Sequence, residues 1–301
     1  MENGELALNL MFNVAAEMIP GHGEDSYYSD CRDNEFVVCA FDGCGGAGSK
    51  KYANLSGRTG AYIASRAICG SVMAWYESSG EISELRNYVD RALDICRKAG
   101  GTSGRLMGSL GKAFPTTAAI LRGCAARNHL KTECCWAGDS RCYMLDMNGL
   151  HQLTEDDIDG QDAMSNLRSD GVMTNVINAS TNFELHTKHL LFDHPCVLLS
   201  ATDGCFGYLE SPMEFEYLLV DSLERAGSPE MWINNLHERF KEVSGDDYTL
   251  SVAVCGFNSF DNLKRYMSER RDYVYGRYIN TGADLDILWT EYKREYSAYL
   301  K

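Results

Sequence analysis

Apolar and polar positions alternate between two periods along the chain, and the change of period marks the elements. Phe36-Val37-Val38-Cys39-Ala40-Phe41 is a short apolar run that stops at Asp42 and a glycine cluster, Gly43-Cys44-Gly45-Gly46-Ala47-Gly48. A run of that length bounded by turn residues predicts a buried strand. Similar runs predict strands over 7–19, Thr116–Leu121, Glu133–Ala137, Cys142–Leu145, Cys196–Thr202 and Leu250–Cys255, with a short aromatic strand after Asp25. Helical spacing predicts helices over Lys51–Ser78 and Ile82–Lys98. Ser211-Pro212 and Ser228-Pro229 each read as a cap with proline in the first turn, opening two more helices that end near Ala226 and Val243.

The remaining stretches are polar or glycine-rich. Gly100–Gly111 reads as a loop. Cys142–Leu145 follows the 133–137 strand at hairpin distance, with Asn148-Gly149 as the next turn. Residues 151–193 read as an irregular excursion, a flap over a site. From Gly256 the tail is polar, then amphipathic, with Leu285, Leu288, Trp289, Tyr292, Tyr296 and Tyr299 near one helical face. A C-terminal helix packed on the body is expected there, with a dimer contact second. Strands in runs with paired helices between them fit a layered α+β domain better than a parallel α/β sheet. The division expected is a domain over 1–256 and a helical extension over 257–301.

Composition narrows the function classes. The 301 residues are 45% hydrophobic and 24% charged, which is ordinary for a globular chain with a sizeable core. No apolar run is long enough to span a bilayer, and the acidic start Met1-Glu2-Asn3-Gly4-Glu5 lacks the basic end of a secretion signal. A soluble, cytoplasmic monomer with no membrane partner is expected. A net charge of −15 argues against a nucleic-acid partner but not against phosphorylated substrates, if cations supply local positive charge. The twelve cysteines are scattered without a Cys-x-x-Cys, which fits reduced thiols serving as small core residues. Neither Cys134-Cys135 nor His186-Thr187-Lys188-His189 has the partners of a structural zinc site.

Candidate chemistry comes from a repeated motif. Asp42, Asp139, Asp203 and Asp246 each stand at the end or entry of a strand, and Glu24-Asp25 stand on a glycine-flanked bend. An Asp-Gly pair alone is a common turn. Four carboxylates gathered at one rim would repel one another without cations, whereas two Mg²⁺ or Mn²⁺ ions would turn them into a binuclear site that activates water and neutralises a phosphoryl group. Oxygen-only donors select such hard cations. Two rivals fit less well. Gly43–Lys50 resembles a phosphate loop but has Ser49-Lys50 where Lys-Ser/Thr is needed. Acyl-transfer chemistry lacks a Gly-x-Ser-x-Gly elbow.

In motif order the chain resembles the metal-dependent, type-2C Ser/Thr protein phosphatases over about residues 10 to 256, as a divergent bacterial-type member. The matching stretches are Glu24-Asp25, Phe41-Asp42-Gly43-Cys44-Gly45-Gly46, Thr116-Thr117-Ala118, Ala137-Gly138-Asp139-Ser140-Arg141, Leu153-Thr154-Glu155-Asp156, Ala201-Thr202-Asp203-Gly204 and Asp246-Asp247-Tyr248-Thr249. The resemblance implies a four-layer α/β-sandwich: two antiparallel sheets packed face to face and flanked by helix pairs, with the metals at one end. It implies hydrolysis of phosphoserine or phosphothreonine in a protein substrate by metal-activated water, opposite a cognate Ser/Thr kinase. On this resemblance Asp42 bridges two Mn²⁺ or Mg²⁺ ions, the Gly43 carbonyl binds one, Asp203 and Asp246 complete the pair, and Glu24 and Asp25 act through water. Asp139 with Asp203 forms a third site. Two departures stand out. Cys44 occupies the place of a histidine that is general acid in animal members, and Pro20 stands where an arginine usually holds the phosphate. His22, Lys50, Lys51 or Arg58 are candidates to supply that charge. The two losses keep a catalytically weak pseudophosphatase, a sensor or scaffold, as the alternative.

Overall fold

The structure, a computed structural model, describes residues 6–78, 80–101, 112–126, 128–159, 162–168 and 171–300. Twelve strands are present among them: β1 (Leu8–Ala16), β2 (Ser26–Arg32), β3 (Glu35–Phe41), the short β4 (Lys51–Tyr52) and β5 (Arg58–Thr59), β6 (Ala118–Ala126), β7 (His129–Ala137), β8 (Arg141–Asp146), β9 (Gly149–Gln152), β10 (His186–Phe192), β11 (Cys196–Ala201) and β12 (Tyr248–Cys255). The helices are the single turn α1 (Gly45–Gly48), α2 (Gly60–Ser78), α3 (Ile82–Ala99), the short α4 (Ala163–Arg168), α5 (Pro212–Glu224), α6 (Pro229–Val243), α7 (Phe260–Val274) and α8 (Leu285–Tyr296).

Ten of the strands form two antiparallel sheets. One has the order β1-β12-β11-β8-β9 and the other β10-β7-β6-β3-β2. Three apolar clusters lie between four layers. In β3, Val37, Cys39 and Phe41 face α2 and α3, together with Ile68, Val72, Trp75, Leu85 and Val89. The alternate residues Phe36 and Val38 meet Met144, Leu198, Ala253 and Cys255 of the opposite sheet. On that sheet's outer side Leu250, Val252 and Val254 pack against α5, α6, α7 and α8 through Phe215, Leu219, Trp232, Leu263 and Trp289. Strands covered on both faces explain why their sequences read as unbroken apolar runs rather than alternating ones. Two hydroxyls cross the gap between the sheets: Ser200 Oγ donates to the Val38 carbonyl at 3.0 Å and Ser251 Oγ to the Cys39 carbonyl at 2.8 Å. The architecture is the expected α+β sandwich of two antiparallel sheets flanked by helices.

Several boundaries differ from the sequence reading. The helix expected over 51–78 begins only at Gly60, because Ser56 and Gly57 adopt φ of 57° and 68° and close a turn between β4 and β5. β7 and β8 do not form a hairpin. They belong to different sheets, and Gly138, at φ 91°, carries the chain across. The excursion over 151–193 is not irregular throughout; it contains α4, and its end is β10, which pairs with β7. The tail opens with a helix, α7, capped by Ser259 Oγ on the Asn262 N–H at 3.1 Å, a signal passed over in the sequence. The expected Ser211 and Ser228 caps are present, each accepting at 3.3 Å. Most of the loop expected over 100–111 lies outside the described residues. All twelve thiols are free, and eight are buried.

The helical extension is anchored by a buried ion pair. Arg270 of α7 donates from Nε and Nη2 to Glu216 of α5 at 2.5 and 2.9 Å, and the Tyr292 hydroxyl of α8 donates to the same carboxylate. Truncating one partner leaves the other charge uncompensated in the core, which typically costs about 3–5 kcal/mol. Arg270→Ala is therefore expected to lower the urea midpoint by a corresponding amount, whereas Arg277→Ala, which removes an exposed pair with Glu291, is expected to change it by less than about 1 kcal/mol.

Candidate metal centre

Sheet register fixes which loops meet. In one sheet Ser26 pairs with Phe41, Ala40 with Ala119 and Ala118 with Ala137, so the entry to β2 and the exits of β3 and β7 share one end. In the other, Ala201 pairs with both Leu250 and Arg141, which places the exit of β11 beside the entries to β12 and β8. The two ends are joined: Thr202 Oγ1 donates to Asp25 Oδ2 at 2.8 Å, and the Gly138 turn runs from one sheet to the other. Asp42, Asp139, Asp203, Asp246 and Glu24-Asp25 are thus delivered to one rim by separate segments of chain.

The backbone behind Asp42 is locked. Its carbonyl accepts from the Thr117 N–H at 2.8 Å and from Thr116 Oγ1 at 2.6 Å, and its N–H donates to Thr117 Oγ1 at 3.2 Å. Gly43 lies so close to α2 that a Cβ would stand 2.6 Å from the Ala61 carbonyl oxygen and 2.8 Å from that of Glu24. Glycine is needed there for close approach. Asp247 serves the scaffold, since its two oxygens accept from the Met18 and Glu24 N–H groups at 2.7 and 2.6 Å. Gly138 is held in turn by Asp157 Oδ2, which accepts its N–H at 2.8 Å. Ile177 of the excursion bridges to Thr116, which bridges to Gly43, so this segment runs along the rim.

The carboxyls sense one another strongly. Burial pushes the Asp42 carboxyl far above the usual range, reinforced by the charges of Asp203, Asp25, Asp139 and Asp246. Burial also raises Asp25 to about 8, with Asp203 and Asp247 adding to the shift and the Thr202 hydroxyl opposing it. Asp139 rises to about 8 through burial, Asp203 and Asp156, against the pull of Arg141. Asp203 rises to about 6 through burial and Asp246. Asp246 and Glu24 are raised for the same reasons, burial first. Burial and like charge thus act in the same direction on every one of these acids. Among the described residues no three acidic, histidine or cysteine side chains close into a ready coordination sphere, so the rim gathers its donors without drawing them together. Cavities of 260, 210 and 510 Å³ lie elsewhere on the surface.

The residues expected to supply positive charge are arranged differently. His22 is exposed in a turn. Lys50 is exposed, with its ammonium 4.8 Å from the centre of the Tyr52 ring, and Lys51 is exposed in β4. Arg58 donates to the Gly21 carbonyl at 2.6 Å and lies over Tyr62 at 4.3 Å, close to the Glu24 loop. Three cations were missed from the sequence. Arg66 donates to the Gly23 and Glu24 carbonyls at 3.0 and 3.2 Å. Lys112 acts on the Cys44 thiol, and buried Arg141 acts on Asp139 and Asp203. Spacing carried no signal for Lys112; Arg141 stood in the quoted Gly-Asp-Ser-Arg stretch without a role.

Comparison with solved structures identifies the architecture. PppA of Pseudomonas aeruginosa matches at a TM-score of 0.59 and 18% identity, covering 84% of this chain and all of its own. The fold is that of the PPM-type, or type-2C, Ser/Thr phosphatases. The phosphatase Stp1 of Staphylococcus aureus matches at 0.58 and 17%, over 84% of this chain and 97% of its own. The catalytic domain of the phosphatase PstP, solved with two manganese ions, matches at 0.53 and 16%, over 83% and 99%. No protein-family model matches the sequence, and no curated protein does. The type-2C-like fold expected from short motifs is therefore present at an identity too low for the chain's activity to follow from the match. Among the described residues no helix is long and apolar enough to cross a membrane.

The raised carboxyls have a consequence for stability. Their folded-state proton affinity exceeds that of the unfolded chain, whose aspartates titrate near 4, so the folded state binds more protons between about pH 4 and 8. Stability from these groups is present below pH 4 and is lost as pH rises through 8. In EDTA, the melting temperature is expected to fall between pH 5 and pH 8, and Asp139→Asn is expected to flatten that fall. Mn²⁺ is expected to raise the melting temperature more at pH 8 than at pH 5, because protons no longer compete for the carboxylates. Differential scanning fluorimetry at the two pH values reads both effects.

Proposed function

We propose that the protein is a metal-dependent protein Ser/Thr phosphatase. The observation that carries this reading is the convergence of five aspartates, from five separate segments, at the rim of a type-2C fold, where the other four raise the proton affinity of Asp42, Asp203 raises that of Asp25 and Asp139, and Asp246 that of Asp203. The donor set fits hard divalent cations: carboxylates, a glycine-lined approach at Gly43, and no histidine or thiolate among the mutually coupled acids. Manganese in the PstP structure supports the same choice. When bound, two Mn²⁺ or Mg²⁺ ions would supply the charge that activates a water at neutral pH and offsets the negative charge of the phosphoryl oxygens.

This chain's residues then divide the work. Asp42, whose carboxyl feels the charge of all four other aspartates, would be the ligand common to both ions, with the Gly43 carbonyl beside it. Asp203 and Asp246 would complete the ligands of the pair, Asp139 with Asp203 would hold a third ion, and Glu24 and Asp25 would act through water. Asp25 is steered by the Thr202 hydroxyl and Glu24 by that of Thr59. Lys112 and Arg58 are the nearest candidates to receive the substrate phosphate in place of the arginine that Pro20 displaces; His22 and Lys50 fit that role less well. The substrate is a phosphorylated protein with a matching kinase, and the working form a monomer.

Cys44 is not a nucleophile in this scheme. Burial and the neighbouring Asp42, Asp139 and Asp203 charges hold its thiol protonated, whereas thiolate chemistry needs the opposite shift. Cys44→Ser is therefore expected to retain kcat within about threefold on p-nitrophenyl phosphate, a substrate whose leaving group needs no proton.

The deciding measurement is phosphopeptide hydrolysis with and without Mn²⁺, for wild type and Asp203→Ala. Wild type is expected to depend on Mn²⁺, and the variant to lose activity by about a hundredfold or more with an unchanged circular dichroism spectrum. A well-folded wild type with no Mn²⁺-dependent hydrolysis would overturn the reading in favour of a pseudophosphatase scaffold.

A further inference from the structure

PppA is matched over its whole length by 84% of this chain, so this chain carries residues beyond the shared fold. The extension formed by α7 and α8 does more than cover the outer face of a sheet. Its last helix reaches the groups behind the acidic rim by two separate routes.

The first route runs through Arg141. This residue opens β8, two positions after Asp139, and pairs across the sheet with Ala201, two positions before Asp203. Its side chain is 2% exposed. Nε and Nη2 donate to Asp156 at 2.8 and 2.6 Å, and the Phe206 ring lies 4.1 Å from the guanidinium carbon. Nη1 points the other way, to the Tyr143 hydroxyl at 3.2 Å and the Tyr296 hydroxyl at 3.4 Å. Tyr296 belongs to α8 and is itself buried.

The second route holds the anion of the same pair. Trp289 Nε1 and Lys293 Nζ of α8 both donate to Asp162 Oδ2, at 3.0 and 2.6 Å. Asp162 starts α4, its other oxygen accepting the Ser165 N–H at 3.0 Å. One turn later Asn166 Nδ2 donates to Asp156 Oδ2 at 2.7 Å. Arg168 at the end of α4 pairs with Asp286 of α8 at 2.5 Å. A single helix thus touches the guanidinium directly and the carboxylate through α4.

We propose that α8 is a positioning element for the acidic rim: Tyr296 and the Asp162–Asn166 relay fix the Arg141–Asp156 pair behind Asp139 and Asp203. The inference rests on the metal-site reading above. Arg141 and Asp156 form a buried ion pair at 2.6 Å, set directly behind the segments that carry both aspartates. Where that pair sits behind the rim depends on its orientation, and α8 supplies it through Tyr296 and, by way of α4, through Asn166. A buried planar guanidinium held at three corners has one position available. Released at one corner, it can turn toward Asp156 or toward the rim.

The test uses the full chain and Mn²⁺ alone, titrated by calorimetry, with melting temperature in EDTA and phosphopeptide kinetics measured in parallel. Tyr296→Phe keeps the ring and removes only the hydroxyl; Asp162→Asn cuts the relay; Arg277→Ala changes an exposed pair of the same extension. Groups that orient ligands from behind commonly change metal affinity ten- to a hundredfold when removed. Tyr296→Phe and Asp162→Asn are each expected to weaken Mn²⁺ binding by about tenfold and to lower kcat, with KM for the phosphopeptide unchanged. Arg277→Ala is expected to match wild type in all three. Unchanged or tighter Mn²⁺ binding in both α8-linked variants overturns the inference, as does a loss of affinity that simply follows melting temperature across all three variants. A wild type that binds no Mn²⁺ overturns the metal-site reading itself, a result distinct from either.

Discussion

Repulsion among like charges is the constraint around which this molecule is arranged. Asp25, Asp139, Asp203 and Asp246 all raise the proton affinity of Asp42 at one end of the sandwich, and no flexible loop would hold them there unaided. Each is therefore set against a rigid anchor. Asp42 has its own carbonyl gripped by Thr116 and Thr117, Asp25 is held by Thr202, and Asp203 follows the central strand of its sheet. The core serves the rim: two sheets buried on both faces make strand ends that cannot drift, and the hydroxyls of Ser200 and Ser251 tie one sheet to the other close to where the acids emerge. A fold built this way concentrates electrostatic tension at one edge, which a bound cation would relieve.

The same constraint accounts for the small cast of cations nearby. Arg66 is spent on two loop carbonyls and a tyrosine face, and Arg58 on a third carbonyl. Arg141 is matched by Asp156 and cannot neutralise the cluster. An Arg placed among the carboxylates would satisfy them permanently and exclude a metal. Keeping guanidinium groups one layer back, paired or hydrogen-bonded, leaves the rim acidic while still shaping it.

Much of this was legible in the sequence because strand exits are marked twice, by the end of an apolar run and by Asp-Gly or Gly-Asp. The Asp42 and Asp203 strands, both caps with proline and a layered α+β class followed from such local signals, while the order of layers came from the resemblance. What failed was non-local. Cys142–Leu145 sits at hairpin spacing from β7, but turn length does not say whether a chain folds back or crosses to another sheet; the positive φ of Gly138 decides it. The helix expected from Lys51 starts nine residues later because two residues with left-handed backbone interrupt it. β10 was hidden in a polar stretch, since an edge strand exposes every second residue and carries Thr187 and His189 there. The missed cations were illegible for the same reason: Lys112 and Arg66 meet the site only through tertiary packing.

Cys44 shows how burial and charge select among chemistries. A cysteine beside a phosphoryl site invites comparison with thiolate nucleophiles, which are ionised by a neighbouring cation or helix N-terminus. Here the neighbours are Asp42, Asp139 and Asp203, and one ammonium, that of Lys112, opposes them. The thiol stays protonated, the opposite of what a nucleophilic cysteine needs. Cys44 N–H donates to the Pro115 carbonyl at 3.2 Å and its own carbonyl accepts from Gly48, closing α1 as one tight turn. That turn holds the glycine loop against α2, so the residue standing where a histidine is usual still secures the loop's shape, and through it the placing of Asp42 and Gly43 at the rim.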